Sequence, residues 1–261
     1  VDRSRNIAGG MSKGVTFLMK KNKIDVIKGY GKLKAGKIVD VDGVDYSANH
    51  IIISTGARSR ELPSIPQDGK KIIGYRQAMT LKKQPKSMVI VGSGAIGVEF
   101  AYFYNSMGTD VTIVEYLPSI VPIEDKDISK ELEKSFKKSG IKVMTSSEVL
   151  SVDTSGKGVT AKVKNSNGEE TISADIILSA IGIKTNIENI GLEEVGIAVD
   201  RDKILVDKYY GTNIPGYYAI GDVTPGPALA HVASAEGILC VEKISGHDVA
   251  PIDYGNIPGC T

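Results

Sequence analysis

The feature that most constrains this sequence is a glycine-rich turn placed between an apolar run and a helical segment. Met88–Val91 is continuously apolar, as in a strand buried on both faces of a parallel sheet, and Gly92–Gly97 follows it without a gap. A GxGxxG pattern alone carries little weight in a chain with 29 glycines. The order of strand, motif and helix, however, predicts a dinucleotide-binding turn. The alternative is a tight strand–helix turn that holds no ligand.

Each glycine of this motif has a separate role. Gly92 permits the tight turn, Gly94 lets the backbone approach a pyrophosphate, and Gly97 allows the helix to pack closely on the strand. The free N–H groups at the start of the helix, together with the positive end of its dipole, are expected to hold the phosphates.

A carboxylate after the next strand indicates which dinucleotide is bound. Val111–Val114 is a second buried strand, and Glu115 ends it about 20 residues after the motif. Glu115 is expected to accept hydrogen bonds from the adenosine ribose 2′-OH and 3′-OH and to repel a 2′-phosphate. Tyr116–Pro122 contains no Arg or Lys that would bind that phosphate. The pattern therefore predicts NAD(H) rather than NADP(H), and the alternative is a surface glutamate at a strand end.

The segment from 84 to 208 has the order of elements typical of a doubly wound α/β fold, a Rossmann-like NAD-binding domain. Gly108 and Gly140 end its two helices, and Ile128, Leu132 and Phe136 are predicted to share one face of the second. Alternation between 149 and 171 predicts an antiparallel meander. The predicted elements are helices Ala95–Met107 and Asp127–Lys138 and further strands Ile141–Val143 and Asp175–Leu178.

The flanking segments, 1–83 and 209–261, are predicted to contain helices and strands of their own, and the end of the second is expected to be a linker. The first has a helical pattern near its start and three β-like runs, Asp25–Ile27, Lys37–Val41 and Ile51–Ile53. The second has a strand at Tyr217–Asp222 and a helix at Leu229–Ser245.

Composition excludes several classes of protein. The chain has 32 Lys and Arg against 31 Asp and Glu, so it has no basic excess with which to bind nucleic acid. No apolar run approaches the length of a membrane span, and the first residues lack the apolar core of a signal peptide. The two cysteines, Cys240 and Cys260, match no metal or redox spacing and weakly indicate a reducing, cytoplasmic setting. No metal site is predicted.

Several short passages, taken together, resemble the pyridine nucleotide–disulfide oxidoreductases. They are Thr55–Ala57, Val89–Phe100, Ala180–Gly182, Thr212–Asp222 and Leu229–His231. The resemblance implies two dinucleotide-binding domains, one for FAD and one for NAD, followed by a C-terminal dimerisation domain. It assigns 1–83 to part of an FAD-binding α/β domain and 209–261 to the return segment of that domain and a linker.

The resemblance also implies ligand contacts at particular positions. Asp222 would hold the flavin ribityl chain, although without the resemblance the preferred interpretation is an N-cap or Asx-turn residue after a strand. Glu99 would face the contact between nicotinamide and flavin, or else is an ordinary helix-surface glutamate. The implied NAD contacts are Gly92, Ser93, Gly94, Ala95, Ile96, Gly97, Val98, Glu99, Glu115, Val149 and Gly182, and the implied FAD contacts are Gly31, Thr55, Gly56, Ala57, Asp222, Ala228, Leu229, Ala230 and His231.

Two departures from the family pattern matter. Gly182–Ile187 lacks the proline and the basic pair that the family usually has after this glycine. The Cys-x4-Cys redox pair and the C-terminal His–Glu pair of the family do not occur in these 261 residues. The chain is therefore expected to be a central segment with no catalytic residues, inactive alone, without stable FAD and prone to non-native association.

For the complete protein, the resemblance implies electron transfer from dihydrolipoamide through the disulfide and flavin to NAD⁺. It also implies a homodimer within a 2-oxoacid dehydrogenase or glycine cleavage complex. Two other interpretations stay open: another flavoprotein disulfide reductase, of the glutathione or mercuric type, and an NAD-binding module without catalysis.

Overall fold

The computed structural model describes all residues from 1 to 261, which form two compact units. The first unit contains Val1–Ser12, Ser59–Ile183 and Thr261, and the second contains Lys13–Arg58 and Lys184–Cys260. In chain order, the α-helices are α1 (Asp2–Lys21), α2 (Tyr75–Ala78), α3 (Ala95–Ser106), α4 (Lys126–Lys138), α5 (Leu192–Val195) and α6 (Ala230–Ile244). The strands are β1 (Gly31–Lys34), β2 (Ile38–Val41), β3 (Val44–Ser47), β4 (Ile51–Ile53), β5 (Ala57–Ser59), β6 (Ile72–Ile73), β7 (Ser87–Val91), β8 (Asp110–Val114), β9 (Lys142–Met144), β10 (Glu148–Asp153), β11 (Val159–Asn165), β12 (Gly168–Ala174), β13 (Ile176–Ser179), β14 (Ile183–Thr185), β15 (Val199–Asp200), β16 (Lys203–Ile204) and β17 (Tyr217–Ala219).

A five-stranded parallel sheet in the order β6-β13-β7-β8-β9 forms the centre of the first unit. The apolar run of β7 is buried on both faces, as predicted. Ile90 lies in the core cluster shared with α3, and Val89 lies in the cluster shared with the meander strands. The mixed α/β fold with a doubly wound parallel sheet is therefore confirmed.

Helices α3 and α4 of this unit begin and end close to their predicted limits. Gly108 and Gly140 adopt φ angles of +94° and +87° and end α3 and α4. Asp125 caps α4 by accepting a hydrogen bond from the Asp127 amide at 2.8 Å. The prediction that Ile128 shares the buried face with Phe136 is wrong, because Ile128 is 61% exposed. Steps of four residues rotate about 40° each around a helix, so these two side chains diverge.

The predicted meander is confirmed as the antiparallel sheet β10-β11-β12. Asn165 pairs with Gly168, whose φ of +121° allows the tight turn between β11 and β12. Val149, Ala161 and Val163 lie in the same buried cluster as Val89. The meander therefore covers one face of the parallel sheet.

The second unit contains the antiparallel sheet β1-β2-β3 and a parallel pair, β4 and β17. In register, Ile51, Ile52 and Ile53 face Tyr217, Tyr218 and Ala219. β4 pairs with β17 alone and so has one unpaired edge, whereas the other edge of β17 hydrogen-bonds to Tyr210 and Thr212. The predicted strands at Lys37–Val41 and Ile51–Ile53 are confirmed in this unit.

Two expectations about the first 30 residues have different outcomes. The helix predicted near the start is confirmed as α1, although it buries none of its residues. The strand predicted at Asp25–Ile27 is wrong: no neighbouring strand hydrogen-bonds to these residues, and Val26 is exposed. A β-prone run without a partner strand cannot form a ladder. None of the six helices is long and apolar enough to cross a bilayer.

Candidate nucleotide-binding site

The turn from β7 into α3 depends on glycine at two of its positions. Gly92 has a φ of +98°, and a Cβ there would lie 2.6 Å from the carbonyl oxygen of Ala180. A Cβ at Gly97 would overlap the carbonyl oxygen of Gly92. Both glycines are therefore required by the protein's own packing, as the sequence predicts.

Gly94 has no such internal reason to be glycine. It is the N-cap residue of α3, it is exposed, and no atom lies within 4 Å of the position that a Cβ would take. The first amides of a helix have no intrahelical acceptor. No side chain caps α3, so those at Gly94, Ala95 and Ile96 are free to donate to a ligand. The open space and the free donors fit a diphosphate group.

Glu115 is buried beside this turn, with 7% of its surface exposed. Its Oε2 accepts hydrogen bonds from the Ser93 amide at 2.8 Å and from Ser93 Oγ at 2.6 Å. Its Oε1 accepts one from the Leu117 amide at 2.8 Å. The interpretation of Glu115 as a surface glutamate is therefore wrong, because the carboxylate is fixed against the glycine turn.

Sequence reasoning missed a second contact to the same turn. The Val121 amide donates to the Ser93 carbonyl oxygen at 3.0 Å. Val121 does so with a φ of +37°, a conformation that strains a β-branched residue. Ser93 is thus held through its amide, hydroxyl and carbonyl, and it is fully buried. Only the proline that follows Val121 marked this segment as unusual in the sequence.

The other residues with implied NAD contacts lie around the carboxyl end of the sheet or on α3. Gly182, just beyond β13, is exposed with a φ of +110° and open space at its Cβ position. Val149 is buried in β10, and Val98 is buried in α3. Glu99 is exposed and borders a cavity of about 710 Å³ together with Phe100 of α3. Gly182 suits a ligand at the carboxyl edge of the sheet, whereas Val98 and Val149 pack in the core, and the cavity beside Glu99 is lined by α1 and the C-terminal part of α3.

One polar atom at this edge has no partner. Ser179, the last residue of β13, is 2% exposed, and its Oγ makes no hydrogen bond. Ser179 pairs in register with Val91, directly before the glycine turn. A buried hydroxyl without a partner lowers stability.

In the second unit, the turn after β4 is tied to the segment after β14. Thr55 Oγ1 donates to the Asn186 carbonyl oxygen at 2.7 Å, and the Asn186 amide donates to the Gly56 carbonyl oxygen at 2.9 Å. Gly56 has a φ of +68°, and Ala57 is buried. Gly31 lies in the separate β1-β2-β3 sheet, and no hydrogen bond joins it to this turn.

Arg58 holds the segment in which the sequence departs from the family pattern. Its guanidinium donates to the Thr185 carbonyl oxygen at 2.9 Å and to Asn186 Oδ1 at 2.8 Å, and it pairs with Glu188 at 2.7 Å. The hydrogen bonds from Arg58 and Lys184 hold the pKa of Glu188 well below its usual range. The segment is therefore fixed without the proline and basic pair that it lacks.

Asp222 follows β17 on a short 3₁₀ turn that is fixed on both sides. The Gly221 amide donates to Glu236 Oε2 at 2.6 Å, and Lys203 Nζ donates to the Asp222 carbonyl oxygen at 2.6 Å. The Asp222 carboxylate is half-buried and accepts no hydrogen bond from the protein. It does not cap a helix, because the N-cap residues nearby are Ile220 and Leu229. An unpartnered carboxylate on a fixed turn fits a polyhydroxyl ligand such as a ribityl chain.

The start of α6 lies further along the same segment. Leu229 is its N-cap residue and provides no side-chain hydrogen bond, so the first amides of the helix are uncapped. Ala228, Ala230 and His231 are exposed. The exposed positive end of α6 suits an anionic or reduced flavin ring.

Sequence reasoning also missed a buried network behind Asp222. Glu236 is 2% exposed, and its Oε1 accepts a hydrogen bond from Tyr254 Oη at 2.6 Å. Tyr210 Oη lies 3.0 Å from Tyr254 Oη. Burial, followed by the hydrogen bond to Glu236, raises the pKa of Tyr254. The sequence gave no signal of this network, because Glu236 stands alone in a mostly apolar stretch of α6, far along the chain from both tyrosines.

Neither cysteine takes part in a disulfide. Cys240 is buried in α6, and burial raises the pKa of its thiol to about 11. Cys260 is exposed in the C-terminal segment. No group of three or more His, Cys, Asp or Glu side chains is arranged to hold a metal ion.

Comparison with known proteins decides the family. The family model for pyridine nucleotide–disulphide oxidoreductases matches residues 2–237. The chain belongs to this family. Two curated relatives named dihydrolipoyl dehydrogenase match this chain over its whole length. The chain is 48% identical to the one from Rhizobium etli and 43% identical to the one from Zymomonas mobilis, in each case over 100% of this chain.

A solved structure is also similar to this chain. The structure of LpdA from Mycobacterium tuberculosis matches 96% of this chain with a TM-score of 0.88 and 32% identity. The chain covers 59% and 58% of the two curated relatives and 57% of LpdA. It therefore spans somewhat more than half the length of these family members.

Proposed function

We propose that this chain is the nucleotide-binding part of a dihydrolipoyl dehydrogenase, binding NAD(H) at the Gly92–Gly97 turn and, within the complete protein, FAD near Asp222. The observation that carries the proposal is the open, uncapped start of α3 beside a buried carboxylate, Glu115. The relatives' name supports the choice of reaction. In the proposed division, 84–208 bind NAD, and 1–83 and 209–261 contribute to the FAD domain.

The bound cofactors supply the redox chemistry, in which electrons from dihydrolipoamide pass through a disulfide and flavin to NAD⁺. The role of this chain is to bind and orient them. Amides at the start of α3 bind the diphosphate, Glu115 accepts a hydrogen bond from the ribose, and Gly182 admits the cofactor close to the backbone. Asp222 binds the ribityl hydroxyls, and the start of α6 stabilises negative charge on the flavin.

For the complete protein we propose a cytoplasmic homodimer that works within a 2-oxoacid dehydrogenase or glycine cleavage complex. The relatives' name supports the reaction, and two unpaired cysteines are typical of a reducing compartment. We propose no catalytic residue among these 261, because Cys240 and Cys260 do not form the Cys-x4-Cys pair of the family.

The proposal is tested by titrating the purified chain with NADH and with NADPH while following nicotinamide fluorescence. We expect NADH to bind more tightly, because the Glu115 carboxylate repels a 2′-phosphate. Tighter binding of NADPH, or no binding of either, would refute the NAD site. Absorbance at the flavin band after incubation with FAD tests the second site separately.

A second candidate is a nucleotide-binding module that performs no redox step. The lack of a Cys-x4-Cys pair in these 261 residues favours it for the isolated chain. A diaphorase assay distinguishes the two: yellow protein that oxidises NADH indicates bound flavin, whereas colourless protein that still binds NADH indicates the module.

A further inference from the structure

The hydrogen bonds to Glu115 leave little room for further donors. A carboxylate oxygen accepts about two hydrogen bonds. Oε2 already accepts two, both from Ser93, at 2.8 Å and 2.6 Å. Oε1 accepts one, from the Leu117 amide. One acceptor position, on Oε1, therefore remains for a ribose hydroxyl.

The backbone around Glu115 is fixed as well. The Glu115 amide donates to the Met144 carbonyl oxygen at 2.8 Å, and its carbonyl oxygen accepts from the Ser147 amide at 2.8 Å. Only the side chain can therefore move away from an unsuitable ligand. That movement would leave the hydroxyl and the amide of the buried Ser93 unpaired, which is costly, and would also break the hydrogen bond from the amide of the exposed Leu117.

Of the three donors to Glu115, only the Ser93 hydroxyl belongs to a side chain, so it alone can be removed by a side-chain substitution. Ser93 is fully buried, and its carbonyl oxygen is held by the Val121 amide, so the hydroxyl cannot move to another partner with its backbone. Hydrogen bonds to an ionised carboxylate are stronger than neutral ones. With the hydroxyl present, the carboxylate stays where the ribose 2′ position is expected.

We propose that Ser93 is a specificity-determining residue whose hydroxyl fixes the Glu115 carboxylate, so that the site accepts a ribose hydroxyl and rejects a 2′-phosphate. This rests on the proposed NAD site. Without the hydroxyl, Glu115 turns away at lower cost, and NADPH is excluded less strongly. The affinity for NADH also falls, because the carboxylate then points at the ribose for a smaller fraction of the time.

The test compares Ser93→Ala with the parent chain in NADH and NADPH titrations. We expect the ratio of the NADPH to the NADH dissociation constant to fall about tenfold in Ser93→Ala. Ser93→Cys keeps a weak donor of similar size and is expected to give an intermediate ratio. If Ser93→Ala does not fold, the Ser93→Cys ratio decides alone.

The matched control is Thr109→Val, which removes a buried hydroxyl that donates to the Pro85 carbonyl oxygen at 2.9 Å. Thr109 precedes β8, at the opposite end of that strand from Glu115, and its substitution should leave the ratio unchanged. A Ser93 variant that binds NADH with a ratio within twofold of the parent overturns the proposal. A parent chain that binds neither cofactor refutes the NAD site itself, which is a different outcome.

Discussion

The carbonyl oxygen of Gly92 lies where a Cβ at Gly97 would have to be placed. A Gly→Ala change inside a helix normally stabilises it by about 1 kcal/mol. Here we expect Gly97→Ala to lower the free energy of unfolding by about 2 kcal/mol, because α3 must move away from the turn. Urea denaturation followed by circular dichroism measures the change.

Gly94→Ala is the matched control for that experiment, with a different consequence. Its Cβ meets no protein atom within 4 Å, so the free energy of unfolding should be unchanged or slightly raised. We expect NADH affinity to fall at least tenfold, because the methyl group occupies the space intended for the diphosphate. A Gly94→Ala variant that binds NADH as the parent does would contradict the assignment of that space.

Ser179 offers a stabilising substitution. Its buried hydroxyl makes no hydrogen bond, so Ser179→Ala should raise the free energy of unfolding by about 1 kcal/mol. Ser129→Ala makes the same change at a buried serine whose hydroxyl donates to the Val121 and Asp125 carbonyl oxygens at 3.2 Å. The free energy of unfolding of that control variant should fall by about 1 kcal/mol. Thermal denaturation of both variants checks the opposite signs.

Cys240 is expected to make stability depend on alkaline pH. Burial raises the pKa of its thiol from 9.0 to about 11, so the folded state holds the proton more tightly than the unfolded state. The protonated thiol therefore contributes fully to the free energy of unfolding below pH 9, and this contribution is lost as the pH rises through 11. Between pH 8 and pH 10.5, the stability advantage of the parent over Cys240→Ala should shrink by about 2 kcal/mol. An advantage that does not change with pH would show that the thiol titrates normally.

The Glu236–Tyr254 contact should contribute substantially to the second unit. Tyr254→Phe removes a 2.6 Å hydrogen bond to a buried carboxylate and should cost about 2 kcal/mol in the free energy of unfolding. Glu236→Gln should cost at least as much, because it also weakens the bond from the Gly221 amide. Tyr209→Phe, at a tyrosine outside this network, is the control. Equal stability of all three variants would mean that the network adds nothing.

The parts of the fold that were predictable from sequence are those set by local pattern. The continuous apolar run of β7 reports burial on both faces, and Gly108 and Gly140 end helices because only glycine readily takes a positive φ. The strand predicted at Asp25–Ile27 failed because a β-prone run says nothing about whether a partner strand lies beside it. Ile128 failed because a spacing of four residues is not the period of a helix.

The candidate site was predictable only in outline. The positions of Gly92, Gly97 and Glu115 follow from a motif with a physical mechanism. The contacts of Ser93, Val121 and Glu236 could not be read from the sequence, since each depends on a partner brought close by tertiary folding. A hydrogen bond between distant segments produces no repeating pattern in the sequence around either residue.

The attachment of Ser93 to Glu115 and to the strained Val121 amide has a consequence for sequence change over time. The Ser93 hydroxyl and the Glu115 carboxylate meet through their side chains, so replacing either one changes which residues are tolerated at the other. Val121 contributes only its backbone amide, so its side chain is free to diverge without disturbing that pair.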